Sequence, residues 1–194
     1  MKKYSQAYSI LELMVVVGII GVLAAASVRL TTEFTTSTGL TTTNNDLVAA
    51  LQYARSTSIR LQDRVVVCTS SNADTPTPTC GGATVPWHDG WIIFHDADNS
   101  ADYDVTSTDT LLAVHEKTAI KGLSIELVQQ SNLVNYVSYT APAGEPQDVA
   151  ASSQSGIFKI CMANEPDEIR GVRLNVSGRV SSTRDLVIIG SACP

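Results

Sequence analysis

The chain has 194 residues and a formal net charge of −6, from 19 acidic and 13 basic side chains. An acidic balance of this size gives the chain as a whole no electrostatic attraction for nucleic acid or for anionic membrane surfaces. If about the first 60 residues form one helix, the remainder is long enough for one globular domain with its own core.

The chain opens with a short basic and polar stretch, which leads into a nearly unbroken apolar run from Leu13 to Val28. A helix of about 20 residues is roughly 30 Å long, which is enough to cross the hydrocarbon core of a bilayer. Glu12 lies inside this segment, where a charge is costly. An acid in such a position indicates a function and requires a partner.

Three interpretations of this segment compete. A cleaved secretory signal and a simple signal anchor both fit the basic start and the apolar run, and residues 24–26 resemble a small-residue cleavage site. Neither of them explains Glu12. The third does, because the segment resembles the class III signal of type IV prepilins: a short basic leader, cleavage before an aromatic residue, and glutamate as the fifth mature residue.

The prepilin resemblance implies that residues 1–7 are a leader, which the prepilin peptidase removes between Ala7 and Tyr8. It also implies N-methylation of the new Tyr8 amino group. Ala7 and Tyr8 depart from the glycine and phenylalanine that the family usually has at the cut. In a filament of parallel helices, Glu12 of one subunit would pair with the Tyr8 ammonium of the next. Such pairing offsets the desolvation of two charges, so Glu12 would fix the register of the subunits.

Four cysteines lie in the part of the chain that this N-terminus would deliver across a membrane: Cys68, Cys80, Cys161 and Cys193. An even number of cysteines in an exported domain indicates disulfide bonds. Of the three possible pairings we favour the first with the second and the third with the fourth, because each bond then closes one contiguous segment. Zinc is disfavoured, since the sequence has no C-x-x-C pair and its three histidines are scattered.

The spacing of apolar residues predicts one long helix over residues 8–61, with a transmembrane half at about residues 8–29. Residues 29–46 are rich in Thr and Ser and are a poor helix by propensity alone. Helical spacing then returns along an apolar stripe from Leu47 to Ser58. We therefore expect a continuous helix that is loosened near Gly39.

Residues 62–194 are predicted to form a β-rich domain, because several short runs alternate apolar and polar residues as half-buried antiparallel strands do. The predicted strands are 64–69, 90–95, 110–116, 123–128, 133–139, 156–161, 169–176 and 185–189, with loops at 70–89 and 141–155. One long helix followed by strands predicts an α+β fold, in which an antiparallel sheet packs on the C-terminal half of the helix.

Further passages resemble the GspH/FimT/FimU branch of minor pilins and pseudopilins. They are LQYARSTSI at 51–59 followed by VVVC at 65–68, WHDGWIIFHDADN at 87–99, and VSGRV at 176–180 with the closing ACP at 192–194. This resemblance covers nearly the whole chain and implies a type IV pilin-like fold. It also implies an inner-membrane protein whose β-rich domain is periplasmic before the chain enters a pilus or pseudopilus.

The same resemblance implies assembly with other minor and major pilins through an inner-membrane assembly platform, priming of pilus formation, and a position near the pilus tip. Twitching motility, adhesion or DNA uptake would follow from the assembled pilus. The close alternative is a minor pseudopilin of a type II secretion system. A DNA-binding competence pilin is the alternative from another class.

Acidic residues cluster after the second predicted strand: Asp96, Asp98, Asp102 and Asp104. Alternating oxygen ligands are what a hard cation such as Ca²⁺ requires. The EF-hand template fails, because Ala101 stands where the loop needs glycine and Ser107 stands where it needs a bidentate glutamate. A solvated acidic turn is therefore favoured and calcium is the alternative, so we expect no cofactor.

Four arginines make the C-terminal region locally basic: Arg170, Arg173, Arg179 and Arg184. In some FimT-type minor pilins a G-R-x-R element near the C-terminus is associated with DNA capture. Here Gly178 and Arg179 are followed by Ser181 in place of the second arginine, although Arg184 lies near in sequence. DNA binding usually needs several phosphate contacts, so local ion pairs are favoured over DNA binding by Arg179 and Arg184.

Three histidines, His88, His95 and His115, raise the question of catalysis. No G-x-S-x-G or comparable nucleophile motif accompanies them, and the cysteines are assigned to disulfide bonds. We therefore expect no enzyme activity.

Overall fold

The computed structural model describes residues 9–105, 108–128, 133, 135–163, 168–185, 189 and 193, and it describes residues 26–36 by their backbone alone. The chain divides into two compact units, residues 1–38 and residues 39–194. The leader predicted at residues 1–7 lies outside the described residues.

Helix α1 runs from Ile10 to Leu61 and is 52 residues long. It is continuous through Gly39, where the sequence predicted a loosening. The glycine instead allows a close contact, because a Cβ at this position would lie 2.7 Å from Ile120 Cδ1. Burial explains why the Thr-rich part stays helical near this point: Thr43 is 4 % exposed, and tertiary packing outweighs intrinsic propensity.

The N-terminal unit exposes large apolar side chains along the described turns of α1, with Ile10 81 % and Val22 71 % exposed. Among the residues that the structure describes, no helix is both long enough and apolar enough to cross a membrane. The transmembrane segment predicted at residues 8–29 extends beyond the described side chains at both of its ends.

The described part of the globular unit contains nine strands. They are β1 (Val65–Thr69), β2 (Trp91–His95), β3 (Thr110–His115), β4 (Leu123–Leu127), β5 (Tyr136–Thr140), β6 (Glu145–Pro146), β7 (Gly156–Met162), β8 (Arg170–Leu174) and β9 (Val180–Thr183). A short 3₁₀ helix, Trp87–Asp89, precedes β2. The strands form two antiparallel sheets, sheet A in the order β3-β2-β1-β5-β6 and sheet B in the order β4-β7-β8-β9.

The structure differs from the predicted strands near the C-terminus. Residues 185–189 were predicted as a strand, but Ile189 N donates a hydrogen bond of 3.0 Å to Asp185 O, which is a helical spacing. The three residues between them lie outside the described part of the chain. The last described strand is β9, whose polar sequence gave no signal of alternation.

The core of the globular unit lies between α1 and the two sheets. One stripe of α1 is fully buried: Leu40, Leu47, Leu51, Ala54 and Ser58. Val67 of β1 and Phe158 of β7 pack in the same core cluster, so both sheets contribute to it. Because a fully buried leucine contributes about 1.5–3 kcal/mol, this stripe accounts for much of the attachment of the helix. The predicted packing of the C-terminal half of the helix on antiparallel sheet is confirmed.

Strand β1 is buried on both faces, which explains its run of valines without alternation. Val65 and Val67 belong to the cluster under α1. Val66 and Cys68 belong to a second cluster with Phe94, which the loops after β1 and β2 cover. Central strand β1 therefore packs against α1 with one face and against the loops after β1 and β2 with the other.

Candidate functional site

Glu12 lies in the first turn of α1, at the end where the helix dipole favours negative charge. Its neighbours are exposed apolar side chains, including Leu11 at 73 % and Leu13 at 59 %. An acid surrounded by uncovered apolar surface suits a site where that surface becomes buried against a partner. Ala7 and Tyr8, the predicted cleavage and methylation positions, lie outside the described residues.

The described cysteines form two disulfide bonds, Cys68–Cys80 and Cys161–Cys193, with sequence separations of 12 and 32 residues. This is the pairing that we favoured from the sequence. The first bond holds the loop after β1 against that strand, and the second holds the C-terminal segment against β7. Both bonds suit an oxidising compartment, because disulfides persist there and are rare in the cytosol.

The acidic segment after β2 brings together a different set of carboxylates from the one predicted. Carboxylate oxygens of Asp96, Asp98 and Asp109 lie within 4.8 Å of one another. Asp102 and Asp104, which the calcium hypothesis used, are not members of this group. Asp109 lies just before β3, outside the spacing of the calcium-loop template, so the sequence gave no reason to include it.

Backbone N–H groups already bind the oxygens of this acidic group. Asp96 is fully buried and accepts hydrogen bonds from Ser100 N and Ala101 N, both at 3.0 Å. Arg64 Nε lies 3.8 Å from the same carboxylate. Burial raises the pKa of Asp96, and the hydrogen bond from Ala101 acts in the opposite direction. The contacts are those of an acidic turn held by backbone donors. The sequence predicted a solvated turn, and that part of the prediction is wrong, because Asp96 is fully buried.

The hairpin between β8 and β9 carries Gly178 and Arg179 of the incomplete G-R-x-R element. Gly178 has φ of +75°, and a Cβ there would collide with the carbonyl oxygen of Gly144. Asn175 N closes the hairpin by donating to Arg179 O at 3.0 Å. The glycine is therefore required by the close approach of two turns, and Arg179 is left exposed beside it.

Arg55 connects α1 to both of these turns. Its Nε donates to Gly144 O at 3.1 Å, and its Nη2 donates to Ser177 O at 2.8 Å. Both acceptors are neutral carbonyl groups, so the positive charge of the guanidinium is not balanced by them. Arg55 was not singled out from the sequence, although it lies within the LQYARSTSI passage next to the buried Ala54.

The other C-terminal arginines differ in their environments. Arg170 is 7 % exposed, and its Nη1 lies 3.1 Å from Glu168 Oε2, a local ion pair of the kind expected from the sequence. Arg173 on β8 and Arg184 after β9 are exposed. Arginine side chains of this region are thus divided between a buried structural position and solvent-facing positions.

Two histidines of sheet A form hydrogen bonds with aspartates, one in α1 and the other in the segment between α1 and β1. His95 Nε2 and Asp63 Oδ2 are 2.8 Å apart, and this bond is the main cause of a lowered pKa of Asp63. His115 Nε2 lies 3.3 Å from Asp46 Oδ2. The His115 ring also stacks on Trp91, with 3.9 Å between the centroids. These contacts give both histidines structural roles.

A long N-terminal helix, antiparallel sheets packed on its C-terminal half, and an acid in its first turn among exposed apolar side chains define a pilin-like protein. The family model described as "Type II transport protein GspH" matches residues 43–178, which is most of the chain. The chain belongs to the GspH family, so the resemblance found in the sequence motifs is confirmed.

Solved structures of the type IV minor pilin FimU of Pseudomonas aeruginosa share this fold. One of them is 19 % identical with a TM-score of 0.56, and covers 82 % of this chain and 96 % of the FimU chain. The structure from a second crystal form is 18 % identical with a TM-score of 0.52, and the match covers 79 % of this chain and 97 % of the FimU chain. No curated protein sequence matches the chain.

Proposed function

We propose that this chain is a minor pilin that takes part in assembling and priming a type IV pilus, at a position near the pilus tip. The observation that carries the proposal is Glu12, an acid among exposed apolar side chains in the first turn of a long helix. Membership of the GspH family and the fold shared with FimU support it. Twitching motility, adhesion and DNA uptake would be consequences of the assembled pilus.

In this proposal the chain is made as a prepilin. The prepilin peptidase cleaves between Ala7 and Tyr8, Tyr8 is N-methylated, and residues 8–29 anchor the chain in the inner membrane. Residues 62–194 are then periplasmic, a location that the two disulfide bonds support. Mass spectrometry of the mature N-terminus tests the processing step: a methylated Tyr8 supports it, and an intact Met1 contradicts it.

Filament entry is proposed to depend on pairing between Glu12 of one subunit and the Tyr8 ammonium of a neighbouring pilin. In a low-dielectric core an unpaired charge is strongly unfavourable, whereas a hydrogen-bonded pair offsets much of its own desolvation. Subunits in the wrong register would leave Glu12 unpaired. The assembly platform would thus insert chains whose helices are already aligned by this charge.

The test compares Glu12→Ala with Glu145→Ala, a matched change at an exposed acid of the globular unit. Each variant replaces the chain in cells that carry the pilus system. Both should fractionate with the inner membrane, and Glu12→Ala alone should be depleted about tenfold or more from sheared pili. Equal incorporation of the two variants would refute the proposed role of Glu12.

A minor pseudopilin of a type II secretion system is the second candidate, and the description of the matching family model favours it. Deletion of the gene separates the two candidates. Loss of twitching with normal secretion of exoproteins supports the pilus, and the reverse phenotype supports the secretion system.

A further inference from the structure

A groove of 430 Å³ lies in the globular unit between the last turns of α1 and the β8–β9 hairpin. Its helix wall is formed by Gln52, Arg55, Ser56 and Ile59. These positions follow the i, i+3, i+4, i+7 pattern, so they present one stripe of α1 that the sheets do not cover. Arg179 stands on the opposite wall.

Hydrogen bonds and close packing fix the shape of this groove. Arg55 is bound to the Gly144 and Ser177 carbonyl oxygens, one in each of two turns. Gly178 has no space for a Cβ, which would lie 2.9 Å from Arg55 Nε. A groove built in this way is largely preformed, and preformed sites lose little conformational entropy on binding.

The groove carries positive charge that its own walls do not balance. Arg55 donates to the two neutral carbonyl groups, and none of the described residues that line the groove is acidic. In the hydrogen bonds and ion pairs among the described residues, the Arg179 guanidinium has no acidic partner. This occurs in a chain whose net charge is −6, so the cationic site stands out against an acidic background.

Apolar side chains lie beside the charge. Ile59 is 40 % exposed on the helix wall, and Val176 is 57 % exposed in the adjoining hairpin. Arginine next to exposed apolar surface is typical of protein–protein interfaces, where arginine is enriched and apolar contacts surround it. A site for duplex DNA would need more phosphate contacts than two guanidinium groups supply.

We propose that this groove binds a carboxylate-bearing segment of a neighbouring pilin subunit, with an Asp or Glu of that segment paired to Arg179 and an adjacent apolar side chain resting on Ile59. The positive charge of Arg55 would also attract this carboxylate, while its guanidinium keeps its hydrogen bonds to the two carbonyl groups. This inference rests on the proposed function, because it assumes that the chain assembles with other pilins.

Site-specific photo-cross-linking in cells that carry the assembly system tests the groove with the full chain. A benzophenone amino acid replaces Gln52 at the groove, Val149 as an exposed control outside it, or Val16 in the N-terminal part of α1. We expect the Gln52 probe to cross-link to another pilin, within a segment that contains Asp or Glu. The Val149 probe should not yield this product.

Charge reversal then tests the ion pair. Arg179→Glu should lower the Gln52 cross-link about tenfold, as expected when a like charge replaces a complementary one at an interface. Changing the mapped partner acid to lysine should restore it. Because the Arg179 side chain is exposed, unfolding of the purified Arg179→Glu chain should match that of the original chain, which excludes misfolding as the cause.

The remaining outcomes overturn one claim or the other. If Val16 cross-links to pilins and Gln52 does not, the groove proposal is wrong and the proposed function stands. If neither probe reaches a pilin, the proposed function itself fails. A Gln52 cross-link that lacks a nearby acid, or that Arg179→Glu leaves unchanged, also overturns the proposal. Salt-sensitive binding of a short DNA duplex by the purified chain, lost in Arg179→Glu, would assign the groove to DNA instead.

Discussion

Two glycines and one arginine determine the geometry at the C-terminal end of α1. Gly144 and Gly178 have φ of +64° and +75°, and each lies against Arg55. The sequence identified Gly178 as part of a motif, but it did not show why a glycine is required at that position. Arg55 reaches acceptors 89 and 122 positions away along the chain, and no local pattern records such distant contacts.

Gly178→Ala should destabilise the globular unit by about 1–3 kcal/mol, because a Cβ there both strains a left-handed backbone and collides with the Gly144 carbonyl. Gly82→Ala is the matched control, since nothing lies within 4 Å of its Cβ position. Denaturant unfolding of the purified chains measures the difference. Equal stability of the two variants would show that the two turns separate freely.

Asp63 gives a pH dependence with a defined sign. Its pKa is lowered below 3.8, first by the hydrogen bond with His95 and then by that from the Arg64 backbone. A carboxyl group whose pKa is lower in the folded chain than in the unfolded chain stabilises the fold. This contribution is complete at pH values above the pKa of the unfolded chain, and it is lost as the pH falls through the pKa of the folded chain. The stability advantage of the original chain over Asp63→Asn should therefore shrink as the pH falls below about 4. An advantage that grows on acidification would contradict this assignment.

Among the secondary-structure elements, the sequence predicted helix α1 well and the two sheets incompletely. The stripe from Leu47 to Ser58 was visible because one side of a helix repeats every 3.6 residues, and the structure buries it. The division into two sheets was not visible, since alternation identifies a strand but not its neighbours. The apolar run at 185–189 was assigned to a strand because short apolar runs fit a strand or a buried helical turn equally well.

The two disulfide bonds provide a matched comparison at this scale. Cys68 and Cys161 are both buried, at 0 % and 1 % exposure, but the bonds close segments of different length. Chain-entropy theory predicts that the longer loop stabilises more, by about 0.9 kcal/mol for sequence separations of 32 and 12 residues. Removing Cys161 and Cys193 together, as alanines, should thus cost more than removing Cys68 and Cys80 together. Chemical denaturation under non-reducing conditions measures both losses, and the reverse order would indicate that native packing outweighs loop entropy.

At the scale of the whole molecule, each unit has its own kind of surface. The N-terminal unit exposes apolar side chains around Glu12, whereas the globular unit contains a buried apolar core, of which Leu40 is the first described residue along the chain. The motif at the N-terminus predicted the first surface from sequence alone. The cationic groove of the globular unit could not be predicted, because its walls come from α1 and from a hairpin that is distant in the sequence. The overall charge of the chain also has the opposite sign.

If the core of the globular unit is complete in itself, a chain that begins at residue 37 should fold without the preceding segment. Every described residue of the main core cluster lies within 39–194, so the unfolding midpoint of this shorter chain should stay within about 3 °C of that of the full chain in detergent. A chain that begins at residue 49 is the control, because it lacks Leu40 and Leu47, which are both fully buried. Losing two such leucines costs several kcal/mol, so its midpoint should fall by roughly 8 °C or more. Circular dichroism melts of the three chains decide the matter: a chain from residue 37 that unfolds as early as the one from residue 49 would show that residues before 37 complete the core.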